Sequence, residues 1–108
     1  MTYEEHGPEY YEFHPINTNH LILDFTGCKT WWDIQEYIRV QFGFPQYYGQ
    51  NLSALRDCID IYSDDIMLVE IKGIHSLPKE AKEEALEILG LFDDIHKSYP
   101  NLKFVVKD

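Results

Sequence analysis

The sequence is short of positive charge: nine Lys and Arg stand against nineteen Asp and Glu in 108 residues, a formal net charge of −10. That balance repels a phosphate backbone and an anionic lipid surface, so neither nucleic acid nor a membrane is an expected partner. It keeps a protein soluble, and it also steers encounters with basic proteins. Long apolar runs are missing too, and nothing approaches the roughly 20 residues of a spanning helix. The opening residues, Met1 to Glu5, have neither a basic start nor an apolar stretch, so no secretory signal is expected. Cysteine is scarce. Cys28 and Cys58 could form one disulfide, but without an export signal they read as reduced thiols of a cytoplasmic protein.

Enzyme signatures are absent as well. There is no dinucleotide-binding glycine pattern, no P-loop, no nucleophile elbow, no zinc-protease motif and no Cys-x-x-Cys pair. His6, His14, His20, His75 and His96 share no metal-ligand spacing, and Asp64-Asp65 lacks the alternate-residue pattern of a calcium loop. No metal, no cofactor and no catalytic residue is therefore expected. With nineteen carboxylates some pair will lie close by chance, so acid–base catalysis cannot be argued from their number.

What is present fits one domain with a modest core, at 44% hydrophobic residues. Residues 1–19 differ from the rest. They carry Tyr3, Tyr10, Tyr11 and Phe13, broken by Gly7, Pro8 and Pro15, with no clear period. They read as an N-terminal extension, either a frayed tail or a segment that folds back or touches a partner. Residues 20–108 are regular. His20 to Phe25 reads as a strand. Thr30 with Asp33 forms a capping-box pattern, and Trp31, Ile34, Ile38 and Phe42 follow at helical spacing until Gly43 and Pro45 stop the helix. After the loop 46–50, Asn51 can cap a short helix with the apolar stripe Leu52, Leu55, Ile59 and Tyr62. The run Ile66 to Ile71 suits a central strand buried on both faces. Pro78 opens a long helix with the core stripe Ala81, Ala85, Ile88, Phe92, Ile95 and Tyr99, and Leu102 to Val106 forms a last strand. The order β-α-α-β-α-β predicts an α/β fold: a small three-stranded parallel sheet covered by helices.

The short helix carries the functional signal. At 100° per residue, Ser53, Asp57 and Asp60 fall within an arc of about 60° opposite Leu55 and Ile59, with Arg56 at its edge. Two tyrosines and a glycine stand just before it. Between Thr30 and Ile71 there are seven acids and two basic residues, Arg39 and Arg56. This is either a solvated helix face beside core tyrosines or a surface shaped for a basic partner. Cys58, beside the apolar stripe, reads as a buried structural thiol.

The block Tyr47-Tyr48-Gly49-Gln50-Asn51-Leu52-Ser53-Ala54-Leu55-Arg56-Asp57-Cys58 resembles the signature of the barstar family, intracellular inhibitors of barnase-type ribonucleases. The likeness extends from His20 to Lys107. It implies a domain that plugs a ribonuclease active site one-to-one. Asp57 would stand in for a substrate phosphate among arginines and a catalytic histidine, and Tyr47 would pack on that histidine. Gly49 would allow close backbone approach, Asn51 would cap the helix and touch the partner, and Asp94 would reach a basic residue of the enzyme. The chain departs from the family pattern at four positions. Ser53 and Ser98 replace acids, Arg56 replaces an aromatic residue, and Asp60 brings an acid where the pattern is neutral. The expected partner is thus a basic extracellular-type or toxin ribonuclease for which the chain is the immunity protein. The alternative is a barstar-like module for another basic target, such as a different toxin nuclease.

Overall fold

A computed structural model describes residues 13, 16, 18–45 and 48–107. Three strands, β1 (His20–Asp24), β2 (Met67–Lys72) and β3 (Leu102–Val106), form one parallel sheet with β2 in the centre. Three α-helices connect them: α1 (Trp31–Phe42), α2 (Leu52–Ile59) and α3 (Lys79–Ser98), with a 3-10 turn at Asp60–Tyr62 after α2. Ile22 pairs with Glu70, which pairs with Val105. That register is pinned beyond the strands by Leu68 N–H to Asn19 O at 2.8 Å and Lys107 N–H to Ile71 O at 2.8 Å. The expected fold is thus the observed one.

The helix ends follow from local chemistry. The Thr30 hydroxyl accepts from Asp33 N–H, while the Asp33 carboxylate accepts from Thr30 N–H, so two otherwise orphaned donors of α1 are satisfied reciprocally. Gly43 takes the left-handed conformation at φ 70° and closes the helix through bonds to Arg39 O and Val40 O. The Asn51 side chain accepts from Ala54 N–H at 2.8 Å and starts α2.

The sheet is one-sided. Leu21, Leu23, Met67, Val69, Ile71 and Leu102 are buried, while Ile22, Asp24, Lys72, Lys103 and Val105 are exposed. The apolar run from Ile66 predicts a β2 buried on both faces, and the structure corrects this. Ile66 precedes the strand at 81% exposure. Within the strand burial alternates, because among the described residues the helices pack against one face only. The outward face of β2 keeps Glu70 beside His20 at 3.0 Å.

Under the helices the core is largely aromatic at the end nearest α2. Phe42 stacks on Phe44 at 5.3 Å, and Phe44 leans on Tyr48 at 5.4 Å. Tyr62 donates to Phe42 O and accepts from Ile16 N–H at 3.1 Å. Phe13 meets Phe44 edge-on. Residues 13 and 16 therefore pack on the domain. Trp31 falls outside this core, at 42% exposure, contrary to its place in the α1 apolar stripe. It is the first residue of the helix, so its side chain projects past the end of the packed layer. The stripe is completed on the inside by Gln35, which is fully buried.

Candidate functional site

The site grows from α2. Leu55, Cys58 and Ile59 are buried, which turns Ser53, Arg56, Asp57 and Asp60 to solvent. Periodicity alone sets this orientation. Burial, then the neighbouring Asp57 charge, pushes the Cys58 thiol up, so it is a protonated packing group. Both cysteines are free thiols.

Asp60 follows α2 directly and accepts a hydrogen bond from the Tyr99 hydroxyl at 2.6 Å, across 39 positions of sequence. That bond, and the Asp60 charge, raise the Tyr99 hydroxyl above its ordinary range. Arg56, Asp60, Ser98 and Tyr99 line one small cavity of about 50 Å³ between α2 and the end of α3. Asp94 is exposed on α3 and lies four residues before Ser98, hence on the same helix face. The structure thus brings Arg56 and Asp60 together with Ser98 and Tyr99, while Asp57 is exposed on α2 and Asp94 on α3.

Asn51 and Ser53 lie at the other end of α2. They line a groove with Trp31, Glu84 and Glu87. Gly49 is exposed, and a Cβ there would come within 3.1 Å of the Asn51 amide, whose Nδ2 donates to Gly49 O at 2.9 Å. The backbone strain of the loop sits one residue later, on Gln50 at φ 43°. Tyr47 lies outside the described residues.

Two adjacent residues of α1 hold this loop in place. Buried Gln35 accepts from the Tyr48 hydroxyl through Oε1 and donates through Nε2 to Glu84 at 2.6 Å. Glu36 accepts from Gln50 Nε2 at 2.8 Å and pairs with Arg39 at 2.6 Å. The bond from Arg39 chiefly holds the Glu36 carboxyl below its usual range, with Gln50 helping against partial burial. Burial, with nearby Cys58, Glu84 and Glu36, drives the Tyr48 hydroxyl well above the usual tyrosine range. Sequence reasoning misses Gln35. Its signal is a polar residue inside an apolar stripe, one position after Ile34 and three before Ile38.

Among the described residues, no group of three or more His, Cys, Asp or Glu is arranged to hold a metal ion. No helix among them is long and apolar enough to cross a membrane. What the chain offers is a short helix with Ser53, Arg56, Asp57 and Asp60 turned to solvent at its exposed face and end, set on an α/β domain. The family model described as Barstar (barnase inhibitor) matches residues 18–107, and the chain belongs to that family. No curated protein matches it.

Proposed function

We propose that the protein inhibits a ribonuclease by laying α2 and the loop before it over the enzyme's active site, as the immunity partner of a barnase-type or toxin ribonuclease in the cytoplasm. The observation that carries this reading is Asp57. It is exposed in the last turn of a helix whose opposite face is locked into the core by Leu55 and Ile59. A carboxylate so fixed can enter a phosphate-binding pocket and accept charge-assisted bonds from arginine forks. Asp60, held by Tyr99, and Asp94 extend the negative face toward α3. Gly49, Asn51, Ser53 and Arg56 frame the contact, with Tyr47 from the loop.

The test is a titration of RNA cleavage by a barnase-type ribonuclease with this protein and with Asp57→Ala. The wild type should inhibit one-to-one. The variant should fold alike yet bind weaker by about 3–5 kcal/mol, the cost of leaving a buried cationic pocket unpaired. Equal inhibition by the two would remove Asp57 from the site. A second reading keeps the surface and changes the target. Arg56 brings a cation to the rim and Ser53 removes an acid, which fits a different basic protein, such as another toxin nuclease. A barnase-type enzyme that ignores the wild type would favour this second reading.

A further inference from the structure

We propose that the partner-binding surface continues past Asn51 and Ser53 into the groove beside Trp31, where it takes a lysine or arginine side chain of the basic partner. This rests on the inhibitory reading of α2 and names a second anchor for the same contact.

Three observations meet in that groove. It has a volume of about 360 Å³ and runs from Trp31 at the start of α1, past Asn51 and Ser53, to Glu84 and Glu87 on α3. It is therefore continuous with the candidate site, sharing two of that site's residues. Its wall is a tryptophan with 42% of its surface in water, set edge-on to Trp32 at 5.7 Å. An indole left so exposed costs hydration free energy that burial against a partner recovers, which is why tryptophan is enriched at the energetic centres of interfaces. Its floor is anionic. Glu84 is fixed by its bond from Gln35, and Glu87 lies exposed on the next stretch of the same helix.

The chemistry of the occupant follows. An indole face attracts a cation through its quadrupole, and a carboxylate across the groove supplies the counter-charge. An acidic or phosphorylated group would meet two carboxylates of its own sign. A purely apolar group would bury them without compensation. A long basic side chain satisfies both walls, laying its methylenes on the indole and its head toward Glu87. The Gln35 bridge joins Tyr48, in the loop that leads into the helix carrying Asp57, to Glu84 of the groove, so the loop beside one anchor and a carboxylate of the other are tied to the same residue of α1.

The test uses the intact protein and a barnase-type ribonuclease, with equilibrium and rate constants for the wild type and for Asp57→Ala, Trp31→Ala, Glu87→Gln and Trp32→Ala. Trp31→Ala should weaken binding about tenfold or more, and Glu87→Gln several-fold, with the Glu87 effect shrinking as salt rises. Trp32 borders a different groove, with Asp24, Cys28 and Val40. Its alanine variant should bind like the wild type. Glu87→Gln, at an exposed helix position, keeps the question answerable if Trp31→Ala folds poorly. If the wild type binds and Asp57→Ala is weakened while Trp31→Ala and Glu87→Gln match the wild type, the second anchor is overturned and the Asp57 site stands. If the wild type does not bind the ribonuclease, the reading as an inhibitor of that enzyme falls in favour of the second target class, and a second anchor for that enzyme falls with it.

Discussion

Replacing Gln35 tests whether the loop is held from behind as the structure indicates. Gln35→Leu keeps size and helix propensity nearly unchanged. What it removes is the acceptor for the Tyr48 hydroxyl, which lies in a residue only 2% exposed. A buried hydroxyl without a partner costs about 1–3 kcal/mol. Glu84, half-buried on α3, can turn to water and adds little. The expected loss is therefore about 2 kcal/mol. Tyr48→Phe strands the Gln35 oxygen and should cost about as much or slightly less. Combining Gln35→Leu with Tyr48→Phe removes both ends of the bond, so the double variant should be more stable than the sum of the single losses by about 1–2 kcal/mol. Urea unfolding reads this directly, since about 2 kcal/mol moves the midpoint by roughly 1 M. Additive losses, or a Gln35→Leu midpoint within about 0.2 M of the wild type, would refute the bridge.

Three further outcomes follow from the geometry. A Cβ on Gly90 would meet nothing within 4 Å, so this glycine inside α3 is tolerated and not required for packing. Gly90→Ala should raise stability by about 1 kcal/mol, visible as a thermal midpoint several degrees higher. Gly73→Ala should do the reverse. At φ 80° its Cβ would sit 2.6 Å from Thr26 N, and a loss of about 2–3 kcal/mol or more is expected by the same thermal measurement. Alkaline pH should destabilise the protein. Burial raises the Tyr48 and Tyr62 hydroxyls, so the folded state keeps protons that the unfolded chain releases above about pH 10. The stability these groups contribute is complete below that value and lost as pH rises through and beyond it. A urea midpoint that stays level to about pH 11.5, or a decline that survives Tyr48→Phe unchanged, would count against this.

Element order and helix ends were legible in the sequence because they depend on neighbours a few residues apart. The Thr30–Asp33 box, the Asn51 cap and the Gly43 stop each act within one turn. The outward face of α2 was legible for the same reason, once Leu55 and Ile59 mark its inner side. Other features needed the fold. The bonds from Tyr48 to Gln35 and from Tyr99 to Asp60 join residues 13 and 39 positions apart, and no local pattern announces them. Trp31 reads as core because periodicity cannot tell where a packed layer ends. The run Ile66 to Ile71 reads as doubly buried because apolar residues on a bare sheet face look the same in sequence as residues beneath a helix. Gln50 carries the loop's positive φ although Gly49 stands beside it, and the sequence would assign that conformation to the glycine.

The one-sided sheet divides the molecule electrically as well as sterically. The helices and the 3-10 turn carry ten carboxylates against five Lys and Arg, while the strands carry two of each. Among these elements negative charge is thus concentrated in the helical layer and balanced in the sheet, a charge asymmetry along the layer normal. In the field of a cationic partner such a body feels a torque before any atoms meet. It rotates until the helical layer leads, so the search for the productive orientation is shortened while the two molecules are still separated by water.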